Sequence, residues 1–383
     1  MKKLIIIGSG FGGISVLTNL KKLCGSKKEF DILLISNTEH FLFTPLLHEA
    51  IVDEVKIDHI ILKIKDIQKK LGNFDFLNKE VKNIDFDNKK VILDGQSIDY
   101  DYLVISAGSQ SNIFNHKKED LFLLKDFNDY GKLRNRLKIV DFNRLSIVGA
   151  GATGVELLGS LTDFFRKNNK KVEIFLFEGN NKVLPELNND YLSNVALERL
   201  EELGAKVNLN TYVQELKKDY IVAYDKQKKE VINLSTDFIV WVAGIKPSTL
   251  VETIDLPKNN GKIITDNYLN VEKYPEVYAL GDCISINSEN TITTAQSAVQ
   301  QAYIVSYNLY AKNHLFKFSK KYNYNHQGSL ISIGNGFAIS DIFGISFTGY
   351  SGWFIWKAIH LFKLDNNKNR KQVLFDWIEN VSF

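Results

Sequence analysis

The sequence predicts an α/β fold in which one supersecondary unit occurs twice. Each copy is an apolar strand, a glycine-rich turn with the spacing Gly-x-Gly-x-x-Gly, and a helix. The first copy reads KKLIIIGSGFGGISVLTNL and the second reads RLSIVGAGATGVELLGSL. A strand, turn and helix in this order begin a Rossmann-like dinucleotide-binding domain. We therefore expect two Rossmann-like domains in one chain.

Length, charge and cysteine count exclude several other classes. The chain has 383 residues, enough for two or three domains, and its formal net charge of +3 makes no electrostatic case for nucleic acid. Its two cysteines, Cys24 and Cys283, argue against a disulfide framework, a thiolate metal site and a redox-active cysteine pair. The seven histidines show no ligand spacing, so no metal is expected. The apolar run Leu4–Ile7 is too short for a signal peptide, and no run reaches the ~18 residues of a membrane span.

In the first copy, each glycine has a separate purpose. Gly8 allows a tight turn, Gly10 lets the backbone approach a pyrophosphate, and Gly13 lets the helix pack closely on the strand. The helix N-terminus then offers free amides to phosphate oxygens. The next strand, FDILLIS, ends at Ser36, where an acid usually binds ribose hydroxyls. A serine hydroxyl can take that place with a weaker hydrogen bond.

The second copy carries the complete fingerprint. Its glycines are Gly149, Gly151 and Gly154, and the strand that follows reaches Glu178. A carboxylate at this position accepts hydrogen bonds from the ribose hydroxyls and repels a 2′-phosphate. The sequence therefore favours NADH over NADPH, while the nearby Lys182 leaves NADPH open.

Three further apolar strands end in small or acidic residues. They lead to Ala107–Gly108, Ala243–Gly244 and Gly281–Asp282. The two Ala-Gly pairs offer a flat ligand a surface free of long side chains. Asp282 can bind a ribityl or ribose hydroxyl, and the alternative is that it caps a helix or forms a turn.

With these motifs, the chain resembles the flavoprotein reductases that carry two dinucleotide folds in a glutathione-reductase-like arrangement. Within that group, three segments resemble the type II NADH:quinone oxidoreductases, which are single-subunit enzymes that do not pump protons. These segments are FLFTPLLHEA (41–50), VGAGATGVELLGSL (148–161) and AQSAVQQA (295–302). The resemblance covers nearly the whole chain. It implies hydride transfer from NADH to FAD and two-electron transfer to a membrane quinone.

The resemblance assigns the first fold to FAD, the second to NADH and three residues to the chemistry. Glu156 is expected to contact the nicotinamide or to pass protons at the flavin; the alternative is an acid that stabilises a helix start by ~0.3–1 kcal/mol. Gln296 and Gln300 share a helix face and are expected to donate to a quinone carbonyl; the alternative is a pair of exposed surface amides. Gln301 has no assignment. The expected cofactor contacts are Gly8, Gly10, Phe11, Gly12, Gly13, Ser36, Thr44, Pro45, Val81, Ala107, Gly108, Gly149, Gly151, Thr153, Gly154, Glu178, Ala243, Gly244, Gly281, Asp282 and Ala295.

Three alternatives remain open. One is a soluble FAD-dependent NAD(P)H reductase with another acceptor, and another is a sulfide:quinone oxidoreductase-like protein that lacks the catalytic cysteines. A non-catalytic flavin- or NADH-binding interaction protein is the third, against which Glu156 and Glu178 argue.

Cys283 is expected to be a small packing residue. His40 and His48, which flank the FTPLL loop, are expected at the surface or as caps, and the alternative is that either relays a proton. Glu49 is expected to bond a ribose hydroxyl or cap the loop.

The C-terminal region is expected to reach the membrane, because a quinone is lipid-soluble. Its segment SGWFIWKAIHLFKL is apolar nearly all round, with Trp353, Trp356, His360 and Leu364 on one face. Five basic and three acidic residues in 351–383 favour anionic lipid. The alternative is that the aromatic residues pack internally or in a homodimer interface. We expect a peripheral protein on the cytoplasmic side of the cell membrane.

The expected domains follow the order of these segments. Residues 1–112 and 256–325 are assigned to the FAD domain, and residues 113–255 are assigned to the NADH domain. Residues 326–383 are assigned to a C-terminal capping and membrane-facing region.

Overall fold

The computed structural model describes residues 1–118, 121–139, 142–217, 220–289, 291–314 and 317–380. Its helices, in chain order, are α1 (Phe11–Cys24), α2 (Leu47–Ile51), α3 (Ile64–Leu71), α4 (Phe127–Lys138), α5 (Ala152–Lys167), α6 (Asp190–Glu202), α7 (Thr249–Thr253), α8 (Ala295–Lys312), α9 (Gly349–Lys363) and α10 (Asn367–Asn380). Short 3-10 helices include Thr44–Leu46 and Gly281–Cys283.

The strands also follow in chain order. Those before residue 150 are β1 (Lys2–Ile7), β2 (Phe30–Ser36), β3 (His40–Leu42), β4 (Ile61–Lys63), β5 (Phe74–Asn78), β6 (Val81–Asp85), β7 (Lys90–Leu93), β8 (Gln96–Asp99), β9 (Tyr102–Ile105), β10 (Ser109–Ser111) and β11 (Arg144–Val148). Those after it are β12 (Glu173–Phe177), β13 (Lys206–Asn208), β14 (Thr211–Lys217), β15 (Tyr220–Asp225), β16 (Glu230–Ser235), β17 (Phe238–Trp241), β18 (Ile245–Pro247), β19 (Lys258–Asn259), β20 (Lys262–Thr265), β21 (Asn270–Val271), β22 (Tyr274–Ala279), β23 (Ile284–Ile286), β24 (Gly328–Ser332), β25 (Ala338–Ile342) and β26 (Ile345–Thr348).

The chain folds into two compact units, each built from three stretches of sequence. The first unit contains 1–42, 61–110 and 245–325, and the second contains 43–60, 111–244 and 326–383. Residues 43–60, 111–112 and 245–255 therefore belong to the opposite unit from the expected domain. The C-terminal region, residues 326–383, belongs to the second unit. The boundaries of the functional domains stay a prediction.

A largely parallel sheet is the centre of the first unit. Strands β22, β9, β1, β2 and β5 lie side by side and run parallel, and β21, β20 and β19 extend one edge in antiparallel pairs. Leu4, Ile5 and Ile6 have no exposed surface, as expected for a strand covered on both faces. Helices α1 and α8 pack against each other, and the Ser306 hydroxyl donates to the carbonyl of Val16.

The second unit repeats this design around a smaller sheet. Strands β13, β12, β11 and β17 run parallel in that order, and α5 follows β11 directly. Two antiparallel sheets, β14-β15-β16 and β24-β25-β26, complete the unit. Both predicted strand–turn–helix copies are present as β1–α1 and β11–α5. The predicted α/β class with two Rossmann-like domains is confirmed.

Helix α9 packs on β25 through the face that the sequence groups together. Trp353, Trp356 and His360 are buried on that face, whereas Phe354 and Phe362 are exposed. Tertiary packing therefore turns a helix that is apolar nearly all round into one with a buried side and an exposed apolar side.

Candidate cofactor and substrate sites

The first glycine turn joins β1 to α1 in the expected geometry. A Cβ at Gly13 would lie 1.9 Å from the carbonyl oxygen of Gly8, so only glycine fits there. Gly10 caps α1, and a Cβ there would meet nothing within 4 Å. Phe11 packs edge-on against Phe41, with ring centres 5.0 Å apart. An open backbone at a helix start without an acidic first turn fits a pyrophosphate.

A cavity of about 300 Å³ lies where β1, β2 and β9 end. Its lining includes Gly8, Ser36, Val81 and Ala107, which come from four separate parts of the sequence. Ligands of open parallel sheets bind at the carboxyl ends of the strands. Four of the residues predicted one by one to contact FAD therefore line one cavity of the first unit, and their contact with FAD stays a prediction.

Three hydroxyl groups cluster at the end of β2. The Ser36 Oγ lies 2.9 Å from Ser9 Oγ and 3.2 Å from Thr38 Oγ1, and Ser9 Oγ lies 3.1 Å from Thr38 Oγ1. Hydroxyls both donate and accept, so this cluster can bind ribose hydroxyls in place of a carboxylate. Ser9 and Thr38 were missed from the sequence; their only signal is that Ser9 lies inside the glycine turn and that Thr38 follows Ser36 by two residues.

Asp282 lies in the short 3-10 helix Gly281–Cys283, and its carboxylate accepts from the Ser109 hydroxyl at 2.6 Å. Gln301 is fully buried behind this segment. Its side-chain oxygen accepts from the Gly281 amide at 2.6 Å, and its amide nitrogen donates to Ser297 Oγ at 3.1 Å. Gln301, unassigned from sequence, therefore ties α8 to the segment that carries Asp282.

The two glutamines predicted at the quinone site lie half-buried at the start of α8. The side-chain oxygen of Gln296 accepts from the Tyr324 hydroxyl at 2.9 Å. Gln300 is held on both sides by Asn325: its amide donates to the carbonyl oxygen at 2.7 Å, and its oxygen accepts from the backbone amide at 3.0 Å. Neither is a freely exposed surface amide. Their role toward a quinone stays a prediction.

The second glycine turn repeats the geometry of the first. A Cβ at Gly154 would lie 1.9 Å from the carbonyl oxygen of Gly149, and a Cβ at Gly149 would lie 2.8 Å from the Cα of Ala243. Gly244 follows with a φ of +77°. The backbone of Ala243–Gly244 therefore lies directly beside the turn and presents a surface without long side chains.

Glu178 stands at the end of β12 and is 8% exposed. One carboxylate oxygen accepts from the Ala150 amide at 2.8 Å, and the other accepts from the backbone and side-chain amides of Asn180 at 2.9 and 2.6 Å. Lys182 pairs with Asp190 at 2.7 Å. The residue predicted to bind ribose is thus rigidly placed beside the glycine turn.

A second carboxylate, which sequence reasoning missed, reaches the same turn. Glu186 lies in the loop between β12 and α6, and its Oε1 accepts from the Ala152 amide at 2.8 Å. A Cβ placed on Gly151 would lie 3.5 and 3.6 Å from its two carboxylate oxygens. The N-terminus of α5 therefore faces an anion of its own chain.

Glu156, on α5, belongs to a buried polar cluster of the second unit. Its Oε2 lies 3.6 Å from Nδ1 of His48, and its Oε1 accepts from the Ser332 amide at 3.4 Å. Burial raises the pKa of Glu156 well above its usual value, and the charge of Glu49 adds to the rise. Burial, with a smaller effect from Lys357, lowers the pKa of His48 to about 3. The raised pKa favours the protonated form of Glu156, and the lowered pKa leaves the imidazole of His48 neutral at neutral pH.

His48 and Glu49 correct two expectations. His48 is 3% exposed rather than at the surface, and its Nε2 has no hydrogen-bond partner among the described residues. Glu49 is 2% exposed and, instead of capping its loop, pairs with Lys357 at 3.0 Å and accepts from the Trp377 indole at 2.6 Å. Thr44 and Pro45 form the 3-10 turn just before them, in the second unit.

Other site classes find no support in the described part of the chain. No group of three or more possible metal-ligating side chains occurs there, and no helix there is long and apolar enough to cross a bilayer. Both cysteines are free thiols, and burial raises the pKa of Cys283 to about 12.

The chain is similar to known proteins over nearly its whole length. The family model described as pyridine nucleotide-disulphide oxidoreductase matches residues 2–302, and the model of the NDH2 C-terminal domain matches residues 326–383. A type II NADH:quinone oxidoreductase of Staphylococcus aureus is 30% identical across 94% of both chains. A probable NADH dehydrogenase of Dictyostelium discoideum is 29% identical across all of this chain and 90% of that protein. The solved structure of NDH2 from Plasmodium falciparum in complex with NADH has a TM-score of 0.88 at 24% identity and covers 99% of this chain and 98% of that chain.

The matched models and the two strand–turn–helix units define the class of protein. The chain belongs to the pyridine nucleotide-disulphide oxidoreductases. Within them it is a member of the type II NADH:quinone oxidoreductases, as the relative in S. aureus and the matched C-terminal domain show. The predicted family is confirmed.

Proposed function

We propose that the first unit holds FAD, that the second holds NADH, and that electrons pass from NADH through FAD to a quinone. As a type II NADH:quinone oxidoreductase, the chain is an FAD-dependent enzyme that uses NADH and does not pump protons. The convergence of Gly8, Ser36, Val81 and Ala107 on one cavity carries the assignment of FAD to the first unit. A reductase with another acceptor has no support among the relatives described above.

The first unit fits FAD along its length. The open turn at Gly10 and the N-terminus of α1 would take the pyrophosphate, and the hydroxyl cluster around Ser36 would take ribose hydroxyls. Asp282, held by Ser109, would accept from a ribityl hydroxyl. When bound, FAD accepts a hydride and passes electrons on in a separate step. The protein contributes binding and orientation.

The second unit fits NADH. The turn at Gly149–Gly154 would face the pyrophosphate, and the Ala243–Gly244 backbone would face the nicotinamide end. Glu178 is fixed where it can accept from ribose hydroxyls and repel a 2′-phosphate, while Lys182 is paired with Asp190. This arrangement supports NADH over NADPH.

Quinone reduction consumes two electrons and two protons. The hydride of NADH brings the electrons and one proton, so a second proton comes from water. Burial raises the pKa of Glu156 well above its usual value and so favours its protonated form, which can donate a proton and recover another from solvent. We assign it this role, with His48 beside it.

Gln296 and Gln300 are proposed as donors to the quinone carbonyl. An amide brings no negative charge, so it does not oppose the arrival of electrons. Gln300 would have to exchange its hydrogen bonds with Asn325 for bonds to the quinone, and Gln296 would have to exchange its bond with the Tyr324 hydroxyl.

The second unit also carries a surface suited to a lipid bilayer. Its exposed apolar side chains, here called the apolar surface, are Phe343, Ile345, Phe347, Tyr350, Phe354, Phe362, Leu374, Phe375 and Ile378. Aromatic and aliphatic groups on short helices next to lysines are typical of interfacial attachment. We propose peripheral binding at the cytoplasmic face, where NADH is available. A homodimer through the same surface is the competing arrangement.

A two-step assay on purified holoenzyme tests the reaction. NADH added under anaerobic conditions should bleach the oxidised flavin, and a short-chain quinone added next should restore its absorbance. Bleaching without reoxidation by quinone would contradict the quinone assignment. A colourless protein that binds no FAD would contradict the assignment of the first unit.

A further inference from the structure

The N-terminus of α5 is already occupied by a carboxylate from the same chain. Glu186 accepts from the Ala152 amide at 2.8 Å and lies over Gly151, the middle glycine of the second turn. A glycine at this middle position has no side chain, so a pyrophosphate can approach the backbone closely. Under the proposed function, the Glu186 carboxylate and the pyrophosphate of NADH therefore compete for one place.

Two anions cannot share this turn without a large electrostatic cost. The pyrophosphate carries two negative charges, and besides Glu186 a second carboxylate, that of Glu178, already accepts from the Ala150 amide, two residues before Ala152. Like charges a few ångströms apart repel strongly where water is displaced. When NADH binds, one of the two glutamates has to leave.

The contacts identify which of the two moves. Glu178 is 8% exposed and accepts from three donors on Ala150 and Asn180. Glu186 is exposed and lies on the loop before α6, where its side chain can rotate into water. Glu178 is therefore fixed, and Glu186 is the group that can be displaced.

We propose that Glu186 is a displaceable carboxylate that occupies the pyrophosphate position of the NADH site in the free enzyme and thereby sets the affinity for NADH. This inference rests on the proposed assignment of NADH to the second unit. Glu186 is a positioning residue, because it affects NADH only through the position that its carboxylate vacates when NADH binds. Removing its charge lowers the KM for NADH and leaves kcat unchanged.

Substitutions of the two glutamates that reach this turn have opposite expected effects. Glu186→Gln and Glu186→Ala should lower the KM for NADH about tenfold, because a charged competitor for one amide is removed. Glu178→Gln should raise the KM, since it weakens a fixed acceptor for ribose. Glu198→Gln, on the exposed face of α6 in the same unit, makes the same change in net charge and should leave the KM unchanged.

Calorimetric titration of the oxidised holoenzyme with ADP-ribose supplies a readout that does not depend on turnover. ADP-ribose carries the pyrophosphate without the nicotinamide, so its Kd should fall about tenfold in both Glu186 variants. The advantage should shrink as salt rises, since it is electrostatic. If NADH is oxidised but KM and Kd are unchanged in both variants, the inference is wrong and the proposed function stands. If the wild type neither binds ADP-ribose nor oxidises NADH, the assignment of the second unit is itself wrong.

Discussion

Glu156 shows how burial changes the chemistry of a single acid. In water a glutamate is ionised at neutral pH, but burial beside His48 and near Glu49 raises the pKa of Glu156 well above the usual value. The protonated form, which is the donor, is present below this raised pKa and is lost as pH rises through it. If Glu156 donates the proton, the rate of quinone reduction therefore falls as pH rises through the pKa of Glu156.

Replacing Glu156 with Gln tests this assignment. We expect quinone reduction to slow by roughly 10²-fold and its alkaline decline to disappear, because the amide cannot donate an acidic proton. Steady-state rates across pH measure both effects. Anaerobic flavin reduction by NADH serves as the control and should change little. A variant that keeps the wild-type pH profile would return Glu156 to the alternative of a helix-stabilising acid.

Several single residues could be predicted from sequence because their signal is local. The glycines of both turns, Glu178 and Asp282 follow strands at recognisable spacings, and the structure places them beside their turns or strand ends. Gln301 and Glu186 could not be predicted in the same way. Their hydrogen-bond partners, the amides of Gly281 and Ala152, lie 20 and 34 residues away, and no spacing rule connects the members of either pair.

Between elements, one buried ion pair joins α2 to the two C-terminal helices. Glu49 of α2 pairs with Lys357 of α9 at 3.0 Å and accepts from Trp377 of α10 at 2.6 Å. The ammonium of Lys357 also lies 4.2 Å from the centre of the Trp377 ring. The pair links residues 308 positions apart and holds the helices that carry the apolar surface.

Breaking this pair should destabilise the second unit. Lys357→Met would leave the Glu49 carboxylate buried beside a single indole donor, and we expect the free energy of unfolding to fall by about 3–5 kcal/mol. Adding Glu49→Gln removes the unpaired charge and should recover much of the loss. Urea unfolding of both single variants and the double variant measures the coupling. Strictly additive effects would show that the two charges do not depend on each other.

On the scale of the whole molecule, the apolar surface stands out because its large apolar side chains are exposed to solvent. A monomeric soluble protein rarely leaves many large apolar side chains in one region, so a bilayer or a second copy is expected to cover them. None of the helices in the described part of the chain is long and apolar enough to cross a bilayer.

Substituting both Phe354 and Phe362 with Asp tests membrane attachment. We expect the double variant to lose co-sedimentation with vesicles that contain anionic lipid, because charged groups on this face oppose burial in the bilayer. Its reaction with a water-soluble quinone should persist. Phe318→Asp is the matched control, since Phe318 is 88% exposed and lies in the first unit. Unchanged sedimentation of the double variant would contradict attachment, and conversion of a wild-type dimer to a monomer would identify a homodimer interface.

The sequence by itself determined the two Rossmann-like folds, the family, the cofactor and the substrates. These rest on local patterns, because a glycine turn between a strand and a helix is specified within about 20 residues. Tertiary structure alone decided that Glu186 occupies the second turn, that Gln301 supports Asp282, and that Glu49 binds the C-terminal helices. It also decided which side of α9 is buried. The physical reason is that burial and hydrogen-bond partners depend on elements brought together by folding, so a segment that is apolar all round carries no record of which face is covered.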